Sequence, residues 1–434
     1  MRVAFYTLGC KVNQYESEVL GELFAARGHE IVPHTEPADL YVVNSCTVTA
    51  TGDQKTRRML RHLKAQNPAA LVALTGCYPQ AFPQAADELP EADIVVGARD
   101  RARLPELVER RLATGERVVA ITPHQRGEGF EPMRASAFSG RTRAFVKIED
   151  GCENYCAYCI IPTARGPVRS KRPEALLDEL RGLAASGYRE AVLVGINLPC
   201  YGKDLGLRLI DAVELACSVE GIDRVRLGSL EPELLTGDDI ARMSAQPKLC
   251  PQFHLSLQSG CDATLRRMNR HYDTAEYARI AGDLRREFEN CALTTDLVVG
   301  FPGEDEAEFA QSLAFAERIA FAKVHVFPYS RRPGTRAASM PGQVTGKELE
   351  ERAARMRALT ARTRDAFLRA QVGRVSEVLF ESRLADGRQE GYTPNYTPVR
   401  VEAAAELRGG LLPVKITGVQ GDGCTGEPLP PQGE

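Results

Sequence analysis

The chain has 434 residues, a formal net charge of −3 and 12 cysteines. That length allows two to four domains, while so few cysteines over so many residues exclude a disulfide scaffold. No apolar run approaches the roughly 20 residues a membrane helix needs, and the near-neutral balance gives no global field for nucleic acid, although local basic patches still act within roughly 8–10 Å.

Met1 leads straight into an apolar strand, so no signal peptide is expected. A reduced, cytoplasmic compartment without membrane attachment follows. Residues 3–8 read as a strand, 14–27 as a helix ending at Gly28, 40–44 as a second strand and 53–67 as a charged helix. A third strand at 71–75, a short helix, a strand at 93–96 and a helix around 104–112 complete a doubly wound α/β domain over 1–122. A cysteine follows each of the first three strands: Cys10 after Thr7-Leu8-Gly9, Cys46 after Val43-Asn44-Ser45, and Cys77 after Leu74-Thr75-Gly76. In a parallel sheet those points share one edge, where ligands bind. Three thiols there can hold one cluster; the competing reading is three small cysteines packed in βα turns.

Residues 123–142 are rich in Gly, Ser and Arg and read as a linker. Six strand–helix units then occupy 143–345, with strands at 144–148, 191–194, 224–227, 252–257, 293–299 and 323–327. Helices fall near 174–185, 208–219, 233–244, 273–286 and 304–319. Six parallel units predict a partial (βα)6 barrel. Its first strand is followed by Cys152-Glu153-Asn154-Tyr155-Cys156-Ala157-Tyr158-Cys159. Thiolate is the usual ligand for each iron of a 4Fe-4S cluster, so three cysteines leave one iron open to a small chelating molecule. A zinc site would want a fourth ligand nearby, and no His lies between His124 and His254. An Arg-rich helical connection at 346–371 leads to short alternating strands over 372–419, which predict a small β-barrel. The Pro-containing tail, 420–434, is expected to be disordered.

The spacing and flanks of the second cysteine set, Asp150-Gly151-Cys152 through Cys159-Ile160-Ile161-Pro162, resemble the radical S-adenosylmethionine (SAM) superfamily. The resemblance implies that the open iron chelates SAM and that its reductive cleavage gives a 5′-deoxyadenosyl radical. It also places the backbone of Tyr158 beside the adenine. With Cys10, Cys46 and Cys77 added, nearly the whole chain resembles the methylthiotransferases, with an N-terminal cluster domain, a radical SAM barrel and a C-terminal TRAM barrel. Two 4Fe-4S clusters are then implied, one on each set of cysteines, which makes all six catalytic and metal-binding. Lys11-Val12 and Gly391-Tyr392-Thr393-Pro394-Asn395-Tyr396 resemble the branch that modifies N6-threonylcarbamoyladenosine 3′ of the anticodon in tRNA. The isopentenyladenosine branch usually reads Gly-Cys-Gln-Met-Asn there, and the ribosomal-protein branch Gly-Cys-Pro-Lys-Asn.

The implied reaction places a methylthio group on C2 of the adenine, consuming two SAM per turnover and drawing electrons from a flavodoxin- or ferredoxin-type donor. Strand-end polar residues Gly195, Asn197, Ser229, Glu231 and Gln258 are candidate SAM contacts. The Pro199-Cys200 loop departs from the small residues usual in the family. Cys217, Cys250, Cys261, Cys291 and Cys424 fit no ligand pattern. Basic residues follow three strands: Arg165, Arg169, Lys171 and Arg172; Arg266, Arg267, Arg270 and His271; Arg331, Arg332 and Arg336. These, with Tyr392, Tyr396 and Arg400 in the last module, are candidate RNA contacts; solvated charge runs and ordinary strand residues are the competing reading. The alternatives to tRNA threonylcarbamoyl chemistry are isopentenyladenosine, a ribosomal-protein side chain, a radical SAM enzyme with another outcome, and a non-enzymatic iron–sulfur RNA-binding protein.

Overall fold

The computed structural model describes residues 1–138 and 140–430. Six parallel strands form the N-terminal sheet: β1 (Arg2–Thr7), β2 (Glu30–Val32), β3 (Leu40–Ser45), β4 (Leu71–Gly76), β5 (Ile94–Val96) and β6 (Val118–Ala120), in the order β2-β1-β3-β4-β5-β6. β3 and β4 are buried almost throughout, as expected of parallel strands covered on both faces. The chain order reverses between β1 and β3, the switch point at which such sheets bind ligands. Cys10 follows β1, Cys46 follows β3, and Cys77 follows β4. β2 and β6, absent from the sequence reading, are three-residue edge strands too short to show a period.

Helix Lys11–Ala25 buries Val12, Tyr15, Glu16, Val19, Leu20 and Phe24, the stripe that three- and four-residue spacing brings to one face. That face continues into the core of the next unit, so one hydrophobic core runs from Val3 through Phe145 to Met356. Residues 123–142 do not behave as a free linker. Met133, Ala135 and Phe138 are buried in the shared core, and Met133 carbonyl accepts from the Tyr15 hydroxyl at 2.8 Å. The polar composition concealed three apolar anchors.

The central unit has the six expected parallel strands: β7 (Arg143–Lys147), β8 (Glu190–Val194), β9 (Arg224–Leu227), β10 (Gln252–Leu255), β11 (Ala292–Val299) and β12 (Lys323–Pro328). The ladder runs β9-β8-β7 on one side and β10-β11-β12 on the other. Helix Gly346–Arg369 packs along β12 and helix Glu306–Ile319, so it belongs to the barrel wall.

β13 (Val375–Arg383), β14 (Gln389–Tyr392), β15 (Pro398–Val401), β16 (Leu411–Gln420) and β17 (Gly423–Pro428) close a five-stranded barrel. The expectation of a disordered tail from 420 is therefore corrected. β17 pairs with β15 in parallel and with β16 in antiparallel, and barrel closure leaves no edge exposed. Prolines in that segment suggested disorder, but Cys424 is fully buried in the barrel core. Residues 431–434 of that tail lie outside the described residues. The barrel docks on the N-terminal ends of the central strands, opposite the cysteine loops: Arg226 donates to the Pro394 carbonyl at 2.8 Å and Arg224 to the Glu377 carbonyl at 2.6 Å.

Candidate functional site

Cys10, Cys46 and Cys77 stand together at the switch point. A methyl group on Gly9 would lie 2.8 Å from Cys46 Cβ and 3.2 Å from its Sγ, so only hydrogen fits between the Cys10 and Cys46 loops. Burial is the first cause that raises Cys46 and Cys77; the charges of Cys77 and Cys10 add to it at Cys46, and that of Cys10 at Cys77. Asn13 braces the group, donating to the Leu8 carbonyl at 2.8 Å and the Ser45 carbonyl at 3.0 Å. Its Oδ1 receives Cys10 Sγ at 3.7 Å.

The second set lies in one loop after β7. Gly151 enters it at φ 94°, with no room for a Cβ beside the Pro167 carbonyl. The loop is pinned by its backbone, Cys152 N–H to the Gly166 carbonyl at 3.0 Å and Ala157 N–H to the Met268 carbonyl at 2.8 Å. Cys156 Sγ accepts from Arg270 Nη1 at 3.1 Å and Cys152 Sγ from Asn197 Nδ2 at 3.8 Å.

The two sets meet through Arg165. The helix Ile161–Arg165, which follows the second loop, packs against the helix Cys77–Ala81. Arg165 is fully buried and donates from Nε to Cys77 Sγ at 3.2 Å, from Nη2 to Asn13 Oδ1 at 2.6 Å and from Nη1 to Glu16 Oε1 at 2.6 Å. Glu16 also meets Arg101 and, at 2.8 Å, Lys147, and Lys147 reaches Asp150 at 2.5 Å. Despite complete burial, these cations hold the Glu16 carboxyl down at about 2. One charged network thus runs from Cys77 to the residue before Gly151. The sequence held a signal for it: Glu16 interrupts the apolar face of its helix, and Lys147, Glu149 and Asp150 end an apolar strand. Buried charges at such places must be paired.

The donor set suits iron–sulfur clusters. Burial pushes the Cys46 and Cys159 thiols up to about 12, Cys152 to about 11 and Cys77 upward. Metal must displace those protons, and guanidinium N–H groups aimed at Cys77 and Cys156 then stabilise anionic sulfur. Among the described residues, no three His, Cys, Asp or Glu side chains gather closely enough for a single metal ion; a four-iron cube spreads its thiolates wider. Beside Cys152, Asn197 Oδ1 and Glu149 Oε1 are buried without a partner among the described residues, and the amide oxygen is an acceptor suited to an ammonium such as that of SAM. Burial, then the neighbouring Asp150, holds the Glu149 carboxyl well above the usual range.

The remaining candidates divide. Gly195 leaves room for Glu149 Oε2. Glu231 accepts from Arg270. Ser229 is exposed. Gln258 sits at φ 66° in a parallel bridge with Leu297. Tyr158 is half-buried, edge-on to Phe301. Cys200, with Asn154 and His271, lines a cleft of about 470 Å³ beside the second loop.

The RNA assignments need correction. Arg165, Arg169 and Arg270 are buried and cannot reach a phosphate: Arg169 pairs with Glu128 at 2.5 Å and Asp150 at 3.2 Å, and Arg270 with Glu231. Lys171 is likewise buried against Glu179, and Arg332 pairs with Asp53 at 2.8 Å. Charge runs in sequence do not distinguish phosphate ligands from the buried partners of carboxylates far along the chain. Arg331 is exposed, its Nε donating to the Ala338 carbonyl at 2.7 Å. Tyr392 and Tyr396 stack on each other, centroids 4.7 Å apart, under Arg143 at 5.2 and 4.9 Å. They form the joint between the barrels and offer no free platform for bases.

Residues 2–97 match the family described as Uncharacterized protein family UPF0004, and residues 146–316 match the Radical SAM superfamily. The chain is 37% identical to the threonylcarbamoyladenosine tRNA methylthiotransferase MtaB of Bacillus subtilis, over 95% of this chain and 93% of that one. It is also 37% identical to the tRNA-2-methylthio-N(6)-dimethylallyladenosine synthase of Acidothermus cellulolyticus, over 95% and 84%. Among solved structures, the radical S-adenosylmethionine methyltransferase TsrM of Kitasatospora setae shares the fold with a TM-score of 0.58 at 14% identity, covering 78% of this chain and 75% of that one.

Proposed function

The chain belongs to the radical SAM methylthiotransferase family, and from that premise we propose that it methylthiolates C2 of N6-threonylcarbamoyladenosine 3′ of the anticodon in tRNA. C2 is an unactivated aromatic carbon, and no side-chain acid or base substitutes sulfur there. When bound, the 4Fe-4S cluster and SAM supply the electron and the 5′-deoxyadenosyl radical that this substitution needs. Cys152, Cys156 and Cys159 hold that cluster in our reading, and Asn197 and Glu149 turn polar atoms toward SAM. We assign a second 4Fe-4S cluster to Cys10, Cys46 and Cys77, as the group that carries the methylthio sulfur. Two SAM per turnover, a flavodoxin- or ferredoxin-type donor and a cytoplasmic setting complete the proposal. No helix among the described residues is long and apolar enough to cross a membrane.

The observation that carries this reading is Arg165, which leaves the second cysteine loop and ends on a sulfur of the first set. A carbon bound between the two sets would be within reach of both the radical and the sulfur. Lys11 and Val12, in place of Gln and Met, favour the threonylcarbamoyl substrate over the isopentenyl one.

Nucleoside mass spectrometry on tRNA from cells with and without the gene tests the reading. Loss of 2-methylthio-N6-threonylcarbamoyladenosine with accumulation of its precursor is the expected result. Loss of methylthio-isopentenyladenosine alone would transfer the enzyme to the sister branch. No change in either nucleoside would defeat the tRNA assignment.

A further inference from the structure

Among the described residues, the barrel lumen contains a cation without an ion-pair or hydrogen-bond partner. On β10, β11 and β12 the side chains that alternate onto the inner face include His254, Asp296, Val298, His325 and Phe327, with Asp296 opposite His325 and Val298 opposite Phe327. They keep solvent access, whereas Leu255 and Leu297 between them are fully buried. His254 engages Thr294 Oγ1 at 3.0 Å and Asp296 Oδ1 at 3.5 Å, and its ring centroid is 6.1 Å from that of His325. Toward the cysteine loops the wall turns apolar, and Phe327 is 43% exposed there. An apolar surface with polar groups beyond it suits a base that carries a polar substituent.

Lys11 enters this space from the N-terminal domain. It follows Cys10 and is the first residue of helix Lys11–Ala25, whose first turn has no acidic side chain. A cation at that end opposes the helix dipole, so the residue does nothing for its own helix. Its side chain is exposed, and among the described residues it has neither hydrogen bond nor ion pair. Besides that of its neighbour Cys10, the charges that bear on it come from four strands of the barrel: Arg143 on β7, Glu190 on β8 and Arg226 on β9, with His325 on β12. Arg226 is already held by Glu190 at 2.7 Å, and Arg143 by Glu381. Lys11 is the cation left over.

We infer that Lys11 is a specificity residue, binding the carboxylate of the substrate's threonylcarbamoyl group inside the barrel lumen. The inference rests on the reaction proposed above and deepens it. That carboxylate is the full charge that separates this nucleoside from an isopentenylated one. Beside Lys11 it forms a charge-assisted hydrogen bond and supplies the anion that the side chain is not paired with. An apolar substituent would cover the ammonium and leave it unpaired, which is how a polar site rejects an analogue lacking its partner group.

The test uses anaerobically reconstituted full-length enzyme and two anticodon stem-loop RNAs. One carries N6-threonylcarbamoyladenosine and the other its methyl ester. Wild type should prefer the free acid by about 10- to 100-fold in kcat/KM, chiefly through KM, the worth of one charge-assisted hydrogen bond. Lys11→Gln should bring the ratio close to one, and Lys11→Arg should restore it. Iron content and RNA-independent SAM cleavage establish that each variant is loaded; should Lys11→Gln not load, the wild-type and Lys11→Arg ratios decide. An unchanged ratio in loaded Lys11→Gln, or a wild-type ratio of one, overturns the inference and leaves the reaction standing. Turnover of neither RNA by the wild type defeats the reaction, and the inference with it.

Discussion

The two cysteine sets do related work by opposite routes. The second is local in sequence: one loop, entered by a glycine and held through its N–H groups by the Gly166 and Met268 carbonyls, carries Cys152, Cys156 and Cys159. The first is topological, with each cysteine on a different strand end and only the sheet order bringing the three together. Both receive a buried arginine, Arg270 on Cys156 and Arg165 on Cys77, but Arg165 comes from another domain. A local clip can form wherever its loop does. A topological one depends on a complete sheet and on the unit packed against it.

The largest effect that would sharpen this contrast is on chemistry. Cys46→Ser should remove about half the reconstituted iron, one of two clusters, and all methylthio product, while SAM cleavage persists. Cys156→Ser should remove a similar share of iron and abolish SAM cleavage as well. Iron analysis with 5′-deoxyadenosine assays distinguishes the two, and equal loss of cleavage in both would break the comparison.

Next comes the shared arginine. Arg165→Ala strips a buried partner from Glu16 and Asp150 and should cost about 3–5 kcal/mol of stability, as when one member of a buried pair is deleted. Denaturant titration of the apo chain measures it. Arg270→Ala, whose partner Glu231 is half-buried, should cost less.

Third are the glycines. Gly151→Ala faces both a positive φ and a clash with the Pro167 carbonyl, and should cost about 1–3 kcal/mol. Iron should be lost from the second set alone. Gly9→Ala, pressed on Cys46, should instead empty the first set. Cluster-resolved spectroscopy separates these outcomes, and loss of both clusters from either variant would argue against independent sites.

The smallest effect lies away from both sets. Burial raises the Glu304 carboxyl to about 7, against N–H groups of Gly300 and Phe301 that favour its charged form. Its folded value exceeds the unfolded one, so its contribution is full below about pH 4.5 and is lost as pH rises toward 7. Glu304→Gln should flatten that decline, by on the order of 1–2 kcal/mol in urea titrations across the window. Both sets should load iron as in wild type.

By itself the sequence determined what depends on spacing along the chain. Strands alternating with helices, the cysteine after each of three strands, and the compact Cys152–Cys159 loop are local patterns, and the family follows from them. Tertiary structure decided which charges face water. Arg165, Arg169 and Arg270 read as a basic rim, but their carboxylates lie on elements as distant as Glu16, and burial makes the pairing obligatory. It also turned 123–142 from linker into packed strap and drew 423–428 from presumed tail into a barrel strand. Closing a sheet satisfies backbone groups whose partners no stretch of sequence names. Lys11 was legible as a branch mark; only the fold set it beside the charges of Arg143, Glu190 and Arg226.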